Sequence, residues 1–128
     1  MQLTEHKPGN HHHIRSVDDN GLVIDDRRYT TSLILGARLL NADWPVRDLS
    51  DLNEETIQPL IEHSPEVVVI GIGKVQAFPD PAVQMAFLRQ GVGVECMTLD
   101  AACRTFNVLM SENRRALAGL IINPEPTS

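Results

Sequence analysis

The residues with the clearest chemical potential lie in a glycine-rich turn that follows an apolar run. Gly71, Gly73 and Lys74 come directly after residues 67–70, and backbone N–H groups in such a turn can point at an anion. The spacing fits no common nucleotide motif, because Gln76 stands where a dinucleotide fingerprint needs its third small residue. A phosphate loop also needs more residues between its glycines. The turn therefore predicts either a purely structural feature or a small-anion, ligand or partner site that uses Lys74.

A second polar group is expected on the last predicted helix. Arg104, Asn107 and Ser111 recur at three- and four-residue spacing, so they share one face, and Arg114 and Arg115 follow just beyond. Together these side chains could line a polar cleft.

Arg104 has a structural alternative, since it could form an ion pair with Glu95 or Asp100 and hold no ligand. With that alternative open, the predicted ligand- or partner-binding residues are Gly71, Gly73, Lys74, Arg104 and Asn107.

No catalytic set can be assembled from the sequence. Cys103 falls on an apolar stripe, and His63 has no obvious acid to orient it. His11, His12 and His13 could approach a metal, but no cysteine or carboxylate nearby completes a ligand set, which favours a surface or edge-strand segment. We expect no catalytic residue, no metal and no cofactor.

The composition favours one ordinary globular domain. The chain has 128 residues and a net charge of -6, so a phosphate-backbone binder is disfavoured and we expect no nucleic-acid partner. No apolar run is long enough to span a bilayer and none resembles a signal peptide, so cytoplasmic residence without membrane insertion is predicted. The two cysteines lie in apolar surroundings and are expected to be buried, reduced thiols.

The elements that position these residues begin with a β-meander. Three short antiparallel strands are predicted near residues 14–17, 22–24 and 29–35, separated by polar turns at 18–21 and 25–28. Residues 1–10 and 123–128 show no periodicity, and both ends are expected to be loose.

Three helices follow an irregular passage at Trp44–Pro45. Asn53 is the predicted N-cap of the first, Pro81 begins the second, which reaches about Gln90, and Asp100 is the predicted cap of the third. Their predicted core-facing residues recur at helical spacing: Ile57, Leu60 and Ile61; Val83, Phe87 and Leu88; Leu99, Cys103, Phe106 and Met110.

Three further strands alternate with these helices. Residues 66–72 contain a β-branched run typical of a strand buried on both faces, and we expect it to be the central strand. Residues 92–97 predict a second buried strand and residues 116–122 a last short one. The fold class is therefore a compact α/β domain with a mixed, mostly parallel sheet, an N-terminal meander and about three helices.

Three stretches taken together resemble one known family. They are residues 67–74, residues 91–95 and residues 101–109, and Trp44–Pro45 and the early hairpins fit the same pattern. In combination the chain is similar to the Mth-type domain family of uncharacterised proteins, which includes a mitochondrial assembly factor (number three) for NADH dehydrogenase, respiratory complex I. The resemblance covers about residues 14–122. It implies a single domain over residues 1–128, with an ordered core over about residues 12–122.

The resemblance also implies a function. It favours a noncatalytic protein-interaction or complex-assembly module with a protein partner, by analogy a respiratory or membrane-complex component. The alternative is a small-anion or metabolite-binding protein or enzyme, using a cleft between the Gly71–Lys74 turn and the Arg104 and Asn107 face. A cleft would bring Lys74 and Arg104 close together, whereas an interaction module would expose an apolar patch.

Overall fold

The computed structural model describes residues 11–123. Of the predicted loose ends, residues 1–10 and, from the stretch 123–128, residues 124–128 lie outside the described residues. Two sheets and three helices form one α/β domain of the predicted class. No helix within residues 11–123 is long and apolar enough to cross a membrane.

The small sheet is an antiparallel meander of β1 (Ile14–Asp18), β2 (Gly21–Ile24) and β3 (Arg27–Tyr29). The first two strands were predicted correctly, but the third was wrong. A two-residue turn suffices because Asp25 takes a left-handed backbone conformation (φ 57°), so pairing resumes at Arg27.

The large sheet contains five strands in the order β5-β4-β8-β6-β7. They are β4 (Leu33–Leu35), β5 (Leu40–Asn41), β6 (Val67–Ile72), β7 (Gly93–Met97) and β8 (Ala116–Ile121). β6 runs parallel to both β7 and β8, whereas β4 pairs antiparallel with β8 and β5. Residues 33–35, predicted as part of the meander, therefore belong to the other sheet.

Two predictions about strand positions were wrong. The middle strand is β8, buried along its whole length, while the β-branched run of β6 lies one place away, still interior. β7 was expected to be buried, but it forms the edge of the sheet, and each of its residues is either exposed or only partly buried.

The helices begin where capping chemistry allows. α1 (Glu54–Ile61) has Asn53 as its N-cap, as predicted. The Asn53 side chain accepts from the N–H groups of Glu55 and Thr56, and the Thr56 hydroxyl accepts from the N–H of Asn53, which completes a capping box. α2 (Pro81–Arg89) starts after Asp80, which accepts from the N–H of Ala82.

α3 (Leu99–Ser111) corrects one predicted cap. Its N-cap is Thr98, and Asp100 lies inside the first turn, where its carboxylate accepts from the Thr98 hydroxyl at 3.1 Å. The charge of Asp100 still favours the positive end of the helix dipole.

Each face of the large sheet carries its own core. On one face α3 packs with β1 and β2 of the small sheet, and the core-facing residues predicted for α3 are all buried there. The other face is covered by α1, α2 and the irregular passage around Trp44, whose indole N–H donates to the carbonyl of Thr56 at 2.9 Å. Leu88 was expected to face this core but is exposed.

Candidate functional site

Gly71 lies near the end of β6 and Gly73 in the turn after it, and glycine is needed at the two positions for different structural reasons. A Cβ on Gly71 would lie 2.4 Å from the Cβ of Ala102, so only glycine lets α3 approach β6 this closely. Gly73 has φ +63°, which favours glycine, and open space surrounds it. Its carbonyl accepts from the N–H of Leu99 at 2.9 Å and so ties the turn to the start of α3.

Lys74 reaches across to the small sheet. Its ammonium lies 2.9 Å from the carboxylate of Asp19, in the turn between β1 and β2. This hydrogen bond raises the pKa of Lys74. Both side chains are largely exposed, so the pair contributes little to stability and leaves Lys74 accessible.

The polar face of α3 also makes contacts within the molecule. Arg104 lies 3.8 Å from Asp100 one turn earlier, one of the two ion pairs predicted for it. Asn107 accepts from the N–H of Ile14 at 3.0 Å and donates to the carbonyl of Ile14 at 2.8 Å. Its carboxamide thereby joins α3 to β1, the edge strand of the meander.

A cavity lies elsewhere, at the end of α3. Its volume is about 350 Å³. It is lined by His11, Ala37, Arg38, His63, Pro65, Met110, Asn113, Arg114, Arg115, Ala116 and Leu117. Arg114 and Arg115 line this cavity, whereas the other members of that predicted group, Arg104, Asn107 and Ser111, do not, so a cleft shared by all five stays a prediction. The predicted site residues Gly71, Gly73, Lys74, Arg104 and Asn107 are likewise absent from its lining and stay a prediction.

Contacts around the cavity hold its two adjacent arginines. Arg114 donates to Glu66 at 2.7 Å, a bond that lowers the pKa of the Glu66 carboxyl, and lies 3.8 Å from Glu112. Arg115 donates to the backbone carbonyl of Ser64 at 2.8 Å. The Arg114–Arg115 pair was visible in the sequence, but Arg38 and His63 come from distant segments that only the fold brings here.

Both cysteines lie in the described part of the chain, and their thiols are suited to packing and not to nucleophilic chemistry. Burial raises the pKa of the Cys103 thiol to about 12 and that of Cys96 to about 11. Both cysteines are free; Cys103 is buried as predicted, but Cys96 is only partly buried. At neutral pH neither thiol is ionised to a useful extent, so neither is an activated nucleophile.

The histidine run is held by the meander. His12 lies 2.7 Å from the carboxylate of Asp25, which also accepts from the backbone N–H of His13. Within residues 11–123, no group of three or more His, Cys, Asp or Glu side chains is arranged to hold a metal ion.

These features define a class: an α/β domain with a mixed five-stranded sheet, helices on both faces and a separate three-stranded meander packed over one of them. The chain matches, over residues 14–121, the family described as protein of unknown function (DUF498/DUF598). It belongs to that family.

Solved structures agree with this assignment. The NMR structure of a Xanthomonas campestris protein is 32% identical, with a TM-score of 0.84 over 100% of this chain and 97% of the other. A Bordetella pertussis structure described as a Mth938-like domain is 23% identical, with a TM-score of 0.80 over 99% of this chain and 96% of the other, and shares the fold. The resemblance to the Mth-type family is confirmed.

Two named relatives are similar to this chain over most of its length. The Bos taurus NADH dehydrogenase [ubiquinone] 1 alpha subcomplex assembly factor 3 is 30% identical over 118 residues, which are 91% of this chain and 64% of that protein. A 13 kDa major membrane protein of Francisella tularensis is 28% identical over 93 residues, or 72% of this chain and 76% of its own length. This chain thus spans less than two thirds of the assembly factor.

Proposed function

We propose that this chain is a noncatalytic protein-interaction module that assists the assembly of a respiratory or other membrane-associated complex. The alignment with the Bos taurus assembly factor, which extends over 91% of this chain, supports the proposal. The name of the Francisella relative gives a membrane association and no activity. A cytoplasmic position is part of the proposal, and fractionation of the native host tests it.

The observation that carries the proposal is an exposed apolar segment between β6 and the end of α2. Four of its large apolar side chains face solvent: Val75, Phe78, Met85 and Leu88, which we call the 75–88 surface. Phe78 is 71% exposed and Leu88 60% exposed. Exposed apolar side chains that lie together are typical of a surface that a partner covers, and we propose that these four form one such surface.

The geometry of α2 groups part of this surface. Met85 and Leu88 are three residues apart, with Pro81 one turn before Met85, so the three residues share the outer face of α2. The opposite face carries Val83, Ala86 and Phe87 into the core. α2 is therefore apolar on both faces, although only one contacts the rest of the domain.

The charge at the two ends of this segment is balanced within the chain. Lys74 and Arg89 flank the segment, and each pairs with a carboxylate of this chain, Lys74 with Asp19 at 2.9 Å and Arg89 with Glu54 at 3.3 Å. The predicted site residues Gly73 and Lys74 border the 75–88 surface in the chain, and we include Lys74 in the contact. We infer a partner subunit that presents an apolar patch to the 75–88 surface.

The test is quantitative affinity capture from the native host. We expect the wild-type protein to enrich subunits of one membrane-associated complex, and a Phe78→Ser, Leu88→Ser double variant to retain about a tenth or less of them, since each change removes an exposed apolar anchor. Val108→Ser is the matched control, because Val108 is also exposed but lies on α3.

Two results would contradict the proposal. One is equal recovery of the subunits by the wild type and the double variant. The other is the absence of any membrane-complex subunit above the level recovered with an unrelated tagged protein. Thermal unfolding of each variant confirms that the fold is intact.

A further inference from the structure

We propose that the cavity at the end of α3 is a binding site for a small organic anion, a phosphate monoester or carboxylate carried on an apolar body. The site is distinct from the 75–88 surface, and it goes beyond the proposed assembly role. Four separate segments build it: residue 11, residues 37–38, residues 63–65 just after α1, and residues 110–117 from the end of α3 to the start of β8.

The first observation is the sign of the charge. Three arginines and two histidines line the cavity, and its lining contains no aspartate or glutamate. The whole chain has only 11 lysines and arginines against 17 acids. Three of these eleven basic residues surround one concave surface. They raise the positive potential there, and this potential attracts anions.

The second observation is how the arginines are held. Arg115 donates one N–H to the neutral carbonyl of Ser64, so this bond orients the guanidinium without neutralising it. Arg114 is partly neutralised by Glu66 and Glu112, which lie outside the lining. A guanidinium has five N–H donors in a planar fork, so donors remain for a carboxylate or phosphate.

The third observation is the apolar part of the lining. Met110, Ala116, Leu117 and Pro65 line the cavity and are themselves almost fully buried, so together they expose a small apolar patch to it. The volume of about 350 Å³ lies within the range of small-molecule sites. Inorganic phosphate would use only the charged side, whereas an organic anion would also cover the apolar patch.

The experiment uses phenyl phosphate as the probe, titrated calorimetrically into the whole chain at physiological ionic strength. Inorganic phosphate, phenylacetate and phenol are the comparison ligands. We expect phenyl phosphate to bind about tenfold tighter than inorganic phosphate, and phenol not to bind. Phenylacetate tests whether the site prefers a carboxylate to a phosphate monoester. If its Kd is lower than that of phenyl phosphate, the site is assigned to carboxylates.

Variants locate the binding. Arg38→Gln and Arg115→Gln should each weaken phenyl phosphate binding about tenfold or more. Arg27→Gln removes the same charge from β3, away from the cavity, and should change the Kd less than about twofold. Backbone amide shifts in NMR spectra should concentrate at residues 113–117.

Three outcomes would overturn the proposal. They are no binding of phenyl phosphate or phenylacetate at millimolar concentration, equal weakening by Arg27→Gln and Arg115→Gln, and amide shifts spread away from residues 113–117. The Phe78→Ser, Leu88→Ser variant should bind the probe normally. Loss of anion binding and loss of partner capture are therefore separate results.

Discussion

The carboxamide of Asn107 makes the two hydrogen bonds that a neighbouring strand would make to Ile14. It accepts from the N–H and donates to the carbonyl of that residue, on the edge strand of the meander. Ile14 is fully buried, so water cannot replace these bonds. The Asn107 side chain therefore links α3 to the small sheet through hydrogen bonds.

Asn107→Ala should lower the free energy of unfolding by about 1–3 kcal/mol, because it leaves a buried N–H and a buried carbonyl without partners. Urea unfolding followed by circular dichroism measures the change. Ser111→Ala, on the same helix but exposed, is the control and should change the free energy of unfolding by less than about 0.5 kcal/mol. Equal effects of the two substitutions would contradict the role given to Asn107.

Residue type and spacing identified side chains with chemical potential but not all of their partners. The pairing of Arg104 with Asp100 could be predicted because both lie on one helix. The partner of Lys74 is Asp19, in another sheet, and no local pattern connects them. For the same reason the sequence indicated only part of the cavity lining. Arg114 and Arg115 are adjacent in the chain, whereas only the folded structure brings Arg38 next to them.

At the scale of elements, the close contact between β6 and α3 depends on Gly71. The carbon that an alanine would add there meets Ala102 on the helix, with Leu120 and Leu99 close behind. Because protein cores are close-packed, the helix would have to move outward. The turn that carries Gly73 and Lys74 would move with it, since Gly73 is bonded to the first residue of α3.

Gly71→Ala should destabilise the protein by about 1–3 kcal/mol through overpacking. Gly93→Ala on edge strand β7 is the matched control, because its added carbon would meet only ordinary van der Waals contact at 3.5 Å. Adding Ala102→Gly to Gly71→Ala should recover part of the loss, and a double-mutant cycle from urea unfolding measures the coupling. Strictly additive effects would show that the contact with Ala102 is not the cause.

The elements themselves were largely predictable, while their neighbours in the sheet were not. Periodicity and capping chemistry located all three helices and the strands at residues 67–72 and 116–121. The β-branched run of β6 indicates burial on both faces, but burial does not distinguish the middle strand from the next one. Strands as short as β5, with two residues, carry no usable pattern.

At the scale of the whole molecule, burial of the thiols makes one cysteine a reporter of unfolding. Cys103 lies in the core between α3 and the sheets, and its pKa of about 12 leaves little thiolate at pH 8. In a Cys96→Ser background, we expect a disulfide exchange reagent such as dithionitrobenzoate to modify Cys103 only as fast as the domain opens. The labelling rate should rise with urea in parallel with unfolding, and rapid labelling in native buffer would contradict this.

The middle position of β8 also has a consequence for biosynthesis. β4 and β6 do not pair with each other, since each pairs with β8, which comes last in the chain among the strands of residues 11–123. A ribosome that has made the first hundred residues therefore holds two unjoined pieces of the sheet, and α3, which covers one face of the finished sheet, is not yet complete. Because no earlier strand joins β4 to β6, the large sheet closes only after β8 has left the ribosomal exit tunnel.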